Sequence, residues 1–273
     1  MARLEPVSVT APACDAVSLA RRWVVDYFNR QDASAARAFA TSTYALRIGE
    51  YTFAGRDEQW LPAVQKQMDQ FPGLGMTVHQ VLVGTNEVAV WFTQHGAAAG
   101  GRIACWSGVA IYQSNGHQLT GCVAQEDYLT RQRQLKSGVG DAIDAPAPAP
   151  WDTVPLPPNP QAEAVVRQWL AHSWPCSESA IRCDDEHITR LALDFSVQDS
   201  GITVLFSSGS EVAFHVRQTG FYRGGLIGQP ASARLTVLHA NGIVRVEAGR
   251  VVAGRVIRDR AGLRAQLLQG GVQ

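Results

Sequence analysis

Tyr44, Arg47, Glu50, Arg56, Asp57 and His79 gather in one stretch of the first half of the chain. Their types suit proton transfer. A buried glutamate or histidine would supply a base near neutral pH, and a neighbouring tyrosine would donate a hydrogen bond to an enolate. In an extended segment Tyr44, Leu46, Ile48 and Glu50 share one face and Arg47 takes the other, so tyrosine and glutamate would point together. A plain use is also open, in which Arg47, Glu50 and Asp57 form a polar network around a helix start at Asp57. Tyr44, Glu50 and His79 are thus candidate catalytic groups and Arg47 a candidate substrate contact, with His79 either lining a pocket or packed in the core.

Other catalytic templates are absent: no G-x-S-x-G, no P-loop, no dinucleotide fingerprint after a strand and no H-E-x-x-H. The run Asp184-Asp185-Glu186-His187 is acidic enough to suggest a metal. Consecutive residues cannot all converge on one ion, however, and a solvated helix start is expected there. The five cysteines are odd in number and include no C-x-x-C pair, so neither a disulfide framework nor a zinc site is encoded in an obvious way. No metal or cofactor is expected, and a reducing cytoplasm is the expected compartment. Lys and Arg together number 24, as do Asp and Glu, for a formal net charge of zero. That removes the electrostatic term on which most nucleic-acid and membrane-surface binders rely, so neither is an expected partner. The N-terminus carries Arg3 and Glu5 without an apolar core, and no run approaches the length of a bilayer span.

The second half repeats the first. Asn86-Glu87-Val88-Ala89-Val90-Trp91-Phe92-Thr93-Gln94-His95-Gly96 returns as Ser210-Glu211-Val212-Ala213-Phe214-His215-Val216-Arg217-Gln218-Thr219-Gly220. Gly116-His117-Gln118-Leu119-Thr120-Gly121, running to Arg131 and Leu135, returns as Gly249-Arg250-Val251-Val252-Ala253-Gly254, running to Arg264 and Leu268. Two matches in the same order imply duplication, so any site must be sought twice. Between the copies, the stretch 137–160 holds seven of the thirteen prolines and reads as a semi-extended linker, with Trp151 either pegged to a domain surface or exposed. The expected organisation is a first domain over 1–136 with the probable ligand pocket, a linker over 137–160, and a shorter, degenerate domain over 161–273.

In the first copy Val17, Ala20, Trp23, Val24, Tyr27 and Phe28 recur at helical spacing. A second helical stretch starts at Ala33, Tyr44 to Phe53 reads as extended, and a further helix runs through Trp60, Val64 and Met68 to the stop at Phe71-Pro72-Gly73. Strands follow at Met76 to Val83, Val88 to His95, Ile103 to Gln113 and Gln118 to Asp127. The second copy predicts a helix over Ala162 to Ser173 with a break at Pro175. Its strands are expected at Leu191 to Val197, Thr203 to Ser207, Val212 to Gln218, Leu235 to His239, Ile243 to Glu247 and Arg250 to Arg258. It has no counterpart of Tyr44 to Leu74. Helices followed by a meander is an α+β pattern.

The closing motif Asp259-Arg260-Ala261-Gly262-Leu263-Arg264-Ala265-Gln266-Leu267, its degraded form from Glu126 to Leu135, and Gly220-Phe221-Tyr222-Arg223-Gly224 are similar to motifs of one family. With helices feeding a bent antiparallel sheet, the chain resembles the SnoaL-like branch of the nuclear transport factor 2 (NTF2-like) superfamily, twice over. The resemblance implies two cone-shaped α+β domains, each holding a pocket between a concave sheet and its helices. It also implies a small apolar or aromatic organic ligand. Activities in that superfamily include polyketide cyclisation and ketosteroid isomerisation by acid/base chemistry, epoxide hydrolysis, and none at all, so fold does not settle function.

Strand parity places Val88, Val90, Phe92 and Gln94 on one face, matched by Val212, Phe214, Val216 and Gln218. That apolar set should face the cone, making Gln94 and Gln218 candidate pocket donors. His95 and His215 then fall on the outer sheet face, where the two halves are expected to pack as an internal pseudo-dimer. On Trp106-Ser107-Gly108-Val109-Ala110-Ile111-Tyr112, the oxyanion-holding Asp of ketosteroid isomerases is absent. Gly108 and Ala110 would leave space for a flat ligand between Trp106 and Tyr112, or serve ordinary packing. The Asp that cyclases and epoxide hydrolases carry in the last strand is replaced by Val123 and Val256. A register slip in a bulged strand would bring Glu126 or Asp127 into that role, surface salt bridging being the plain alternative. The expected function is a cofactor-independent cyclase or isomerase of polyketide type. The alternatives are an epoxide hydrolase or cyclase of the tandem polyether type, and a non-catalytic ligand carrier or scaffold.

Overall fold

The computed structural model describes residues 15–172, 180–185 and 192–269. The first helix, α1 (Ala16–Arg21), starts at Asp15, whose carboxylate accepts from Ser18 N at 2.5 Å, and runs on through a π-helical Arg22–Asn29. It buries Leu19, Ala20, Val24, Tyr27 and Phe28, as its spacing predicts. The stretch from Ala33 is helical as expected but short, a 3-10 turn over Ala33–Ala35 leading into the single α-helical turn of α2 (Ala36–Phe39). Strands β1 (Ala40–Ile48) and β2 (Tyr51–Ala54) form a hairpin whose turn holds Gly49 and Glu50, and α3 (Leu61–Gln70) follows. Next come β3 (Gly75–Val83), β4 (Glu87–Ala97), β5 (Ile103–Ser114), β6 (Leu119–Glu126) and α4 (Tyr128–Ser137). The second copy comprises α5 (Pro160–His172), β7 (Ile181–Cys183), β8 (Asp194–Ser208), β9 (Glu211–Gly224), β10 (Leu235–Glu247), β11 (Arg250–Arg258) and α6 (Arg260–Gln269).

The duplication is visible in the topology. One sheet runs β2-β1-β6-β5-β4-β3 and the other β7-β11-β10-β9-β8. The repeated segments lie on β4 and β9, each second from its edge, and the parallel pair β1–β6 matches the parallel pair β7–β11. Among the described residues α2, β2 and α3 lack a counterpart, and the sequence implies as much for β2 and α3. The fold is α+β, with helices packed on each curved sheet.

Two strand predictions for the second copy need correction. Residues Leu235 to Glu247 form one strand and not two, because Asn241-Gly242 lies mid-ladder opposite His215 and Phe214. Asn241 donates its amide to Val109 O at 2.8 Å and Val123 O at 2.9 Å of the first sheet, and a Cβ on Gly242 would stand 2.5 Å from the Phe214 ring. Likewise β8 is continuous where two short strands were expected, with three register shifts along it. The Pro175 break, Glu186 and His187 lie outside the described residues.

Alternation sorts side chains to two destinations. Val88, Val90 and Phe92 join the core under α1 and α3, and Val212, Phe214 and Val216 the core under α5. The opposite faces meet each other: Leu82, Ala89, Val109, Ile111 and Val123 pack against Phe206, Ala213, Ile243 and Ile257. Sheet therefore packs on sheet across the centre of the molecule. Residues 137–160 run alongside, with Trp151 partly buried against the first core and Ala147 N donating to Val78 O at 3.1 Å.

Candidate functional site

In the first copy, the concave sheet and the helices α1 and α3 enclose a cavity of about 190 Å³. Its walls are apolar and aromatic, among them Trp60 and Val64 from α3, and Phe92, Ala110 and Tyr112 from the sheet. On β6, Cys122, Ala124 and Glu126 alternate onto this wall, placing one carboxylate in an apolar chamber.

Glu126 is half-buried and held on several sides. Trp106 Nε1 donates to its Oε2 at 2.7 Å, and Gln94 Nε2 to its Oε1 at 3.3 Å. Gln67 on α3 fixes Gln94 in turn, donating to its amide oxygen at 2.7 Å. The Arg131 guanidinium lies 5.0 Å from the Trp106 ring centre and 4.4 Å from that of Tyr128. Burial pushes the Glu126 carboxyl above its ordinary range, against the opposing pull of the Trp106 N–H, Arg131, Tyr128 and Gln94. A carboxyl raised in this way is suited to exchange protons nearer neutrality.

Tyr44 lines the far wall, fully buried, and its hydroxyl lies at hydrogen-bond geometry to no protein atom, with the Cys122 thiol and Trp23 beside it. Burial holds Tyr44 and Tyr112 well above the usual phenol range, so both remain O–H donors. An unpartnered buried hydroxyl facing a cavity is available to a ligand oxygen.

Four of the eight residues singled out from sequence thus line the cavity: Tyr44, Gln94, Tyr112 and Glu126. Trp106 stands behind it and reaches it through Glu126. Glu50, Arg47 and His79 do not line it. Glu50 projects from the β1–β2 turn toward the second copy, accepting from Arg217 Nε at 3.1 Å and hydrogen-bonded to His239 Nε2 at 2.6 Å. Arg47 is not joined to Glu50 or Asp57, and Asp57 pairs instead with Arg56 and Arg37. His79 lies on the outer face, bonded to Thr93 Oγ1 at 2.8 Å and Ala145 O at 3.0 Å, with burial lowering its pKa and keeping it neutral. Alternation from Met76 and Val78, which lie in the inner core, puts Thr77 and His79 outside, and a bulge at His79 keeps Gln80 on that face as well before Val81 returns to the core. The space at Gly108 is not free either, since a Cβ there would stand 2.3 Å from the Phe92 ring.

Sequence reasoning missed the role of Asp127, Asp184 and Asp185. None of them is a solvated surface acid. Asp127 caps α4, accepting from Thr130 N at 3.2 Å, and also accepts from Asp185 N at 3.0 Å and from Arg260 Nη2 at 2.5 Å. Asp184 meets Arg258 and Arg260, and Asp185 meets Arg255 and Ser107. Two residues of the second copy, Arg260 and Asp185, thereby grip the residue adjoining Glu126. Their partners are far away along the chain, so no local pattern announces them.

The second cone differs at the decisive position. Phe92 pairs with Gly108, which pairs with Glu126; its repeat Val216 pairs with Ala240, which pairs with Arg258. A fully buried arginine, ion-paired to Asp184, stands where the first copy has its carboxylate. Gln218, the repeat of Gln94, donates to Leu170 O at 3.0 Å. The Phe214 ring fills the space over Gly242.

Family comparisons agree with this division. Residues 20–121 match a family described as SnoaL-like domain, and residues 177–267 match one described as SnoaL-like polyketide cyclase. The chain is a tandem of two SnoaL-like domains. No curated protein matches it. Among solved structures, the SnoaL-like tandem resembles a provisionally named SnoaL-like polyketide cyclase from Jannaschia sp. CCS1, at 17% identity over 48% of this chain and 99% of that one, with a TM-score of 0.43. It also resembles IdmH from Streptomyces antibioticus, provisionally named a polyketide cyclase, at 16% identity over 44% and 99% of the two chains (TM-score 0.38). A third is AclR from Streptomyces galilaeus, provisionally named a hydroxylase, at 14% identity over 44% and 94% (TM-score 0.40). No described helix of the tandem is long and apolar enough to cross a membrane.

Proposed function

We propose that the protein is a cofactor-independent enzyme acting on a compact apolar organic substrate, with Glu126 of the first SnoaL-like domain as the proton-transfer group. The reaction class is cyclisation or isomerisation through an enolate. The observation that carries this reading is Glu126 itself, a raised carboxyl held by Trp106 and Gln94 in an apolar cavity, with the Tyr44 hydroxyl unpartnered on the opposite wall. Glu126 would remove a proton alpha to a carbonyl, and Tyr44 or Tyr112 would donate to the developing oxyanion. Isomerisation needs only proton movements; in cyclisation the enolate carbon adds to a second carbonyl carbon of the same substrate, whose π electrons pass to its oxygen and are met by a proton, so neither calls for a cofactor. The cavity is smaller than the roughly 300–1,000 Å³ usual for ligand sites, which favours one or two rings, or one end of a longer molecule.

Epoxide opening by paired acids is not favoured, because Glu126 is the only carboxylate among the described residues lining the cavity. The second domain, with Arg258 at the equivalent position, is read as the non-catalytic half of a pseudo-dimer joined through the sheet faces. Cys105 and Cys122, buried and outside any disulfide, suit a reducing cytoplasm.

The test is exchange of the alpha protons of 2-tetralone into deuterated buffer, followed by NMR. The wild-type protein should accelerate exchange, increasingly as pH rises through the raised carboxyl, and Glu126→Gln should lose about 10²-fold or more of that acceleration. Exchange that survives Glu126→Gln would remove the assignment. A wild-type protein that binds the ketone without exchanging it would make this a carrier.

A further inference from the structure

A second cavity, of about 580 Å³, lies where the two copies meet. It is walled by α4 of the first copy, and by α6 and the β9–β10 connection of the second. Four cationic side chains line it, Arg133, Lys136, Arg260 and Arg264, and no carboxylate does among the described residues. The remaining wall is apolar through Leu129, Leu226 and Ile227.

Charge bookkeeping separates these cations. Arg260 is neutralised by Asp127 and Asp184, and Arg133 by Asp141. Among the described residues the side chains of Lys136 and Arg264 meet no ion-pair or hydrogen-bond partner, and Arg264 Nε is buried without an acceptor. Arg264 is half-buried, and its buried Nε–H without an acceptor is a cost that an anion in the groove would remove. The apolar side is also held in place. Gly225, at φ +96°, turns the chain where a Cβ would stand 2.1 Å from Ala192 O, and the Tyr222 hydroxyl accepts from Leu226 N at 2.7 Å. This anchored turn presents Ile227 at 71% exposure beside the arginines. An exposed isoleucine on a pinned turn, next to an unpaired guanidinium, offers one patch for an acyl or ring body and one for a charged head.

We propose that this groove binds an amphipathic monoanion: a single carboxylate or similar head on Arg264 and Lys136, and an apolar body against Leu129, Leu226 and Ile227. The site is separate from the Glu126 cavity and does not depend on what that cavity does. Its volume falls within the range of small-molecule sites and accommodates a chain of about ten carbons or a fused ring system.

Calorimetric titration with decanoate, below its micellar concentration, tests the proposal on the full chain, with decan-1-ol as the uncharged comparison. One decanoate should bind per chain, more tightly than the alcohol and more weakly as salt is raised. Arg264→Met keeps the aliphatic stem and removes the charge; it should weaken decanoate about tenfold or more, the equivalent of one charge-assisted hydrogen bond, and leave decan-1-ol unchanged. Ile227→Glu should abolish binding by adding a carboxylate to the apolar wall. Both positions carry no structural partner, so thermal melts should be unaltered. Ala63→Trp, which narrows the Glu126 cavity, should leave decanoate binding intact. The proposal is overturned by any of three results: no saturable binding, binding unaffected by both groove variants, or binding lost in Ala63→Trp.

Discussion

Arg260→Met should be among the most destabilising single changes in the molecule. Arg260 donates from Nη2 to Asp127 at 2.5 Å across the boundary between the copies, and the two side chains are 4% and 0% exposed. Removing the arginine leaves a buried carboxylate supported only by Thr130 N at 3.2 Å, Thr130 Oγ1 at 2.9 Å and Asp185 N at 3.0 Å. Breaking a buried pair from one side costs about 3–5 kcal/mol. At about 2–4 °C per kcal/mol for a chain of this size class, the melting temperature should fall by roughly 6–20 °C. The exposed pair Arg245–Glu247, at 50% and 57% exposure, is the internal standard, and Arg245→Met should cost less than about 1 kcal/mol. Adding Asp127→Asn to Arg260→Met removes the stranded charge while keeping an oxygen to cap α4, so the double variant should recover most of the loss. Urea unfolding at pH 7 measures all four proteins. If Arg260→Met cost no more than Arg245→Met, or the double variant were as unstable as the single, the reasoning from burial would fail. Asp127 also sets a pH dependence: burial raises its pKa, but Arg260 and the three other donors outweigh burial and hold it below its ordinary range. Its contribution is present above the ordinary aspartate range and lost as pH falls through the depressed value.

Glu126→Gln should have the opposite sign. Because the folded-state pKa of Glu126 is raised, its contribution is full below the ordinary glutamate pKa and is lost as pH rises through the folded value. The glutamine variant should therefore be the more stable protein above that pH, and unfolding midpoints from pH 4 to 9 will show whether the two curves separate. Gly108→Ala places a Cβ 2.3 Å from the Phe92 ring and should cost about 1–3 kcal/mol while pushing that ring into the cavity, read as lost stability together with lost ketone binding. Asn241→Leu removes both hydrogen bonds from the second sheet to Val109 and Val123 and sets an apolar side chain against those carbonyls. A loss of about 1–3 kcal/mol is expected, and differential scanning calorimetry should show the two copies unfolding less cooperatively.

The fold was legible because it rests on short-range periodicity. The duplicated Glu-Val-Ala segments set the parity of β4 and β9, and that parity sends Phe92 and Val216 inward and Ala89 and Ala213 to the interface. The candidate site was legible where strands stay regular, as with Gln94 and Tyr112. It was illegible where a single residue shifts the count. The bulge at His79 puts Gln80 on the outer face beside it, and another, which skips Thr120 in the β5–β6 ladder, precedes Cys122, Ala124 and Glu126 on the wall. The first has no glycine or proline to announce it, whereas Gly121 follows the second directly. Glu50 failed for a different reason: a residue at a hairpin tip is aimed by what it meets, here Arg217 and His239 from a segment well over a hundred residues away. Asn241-Gly242 shows the same limit, a dipeptide suited to tight turns that instead runs straight because its amide has acceptors on the other sheet.

Arg258 in place of Glu126 points to a freedom that covalent joining confers. In a pair of identical subunits, a substitution in one chamber enters the other as well, and an ion pair that sealed one would seal both. On one polypeptide the halves drift separately, so the rear unit could harden into a brace while the front one kept its acid. Expressed alone, the front half would expose Leu82, Ala89 and Ile111 to water, which makes the brace a condition of solubility for its neighbour.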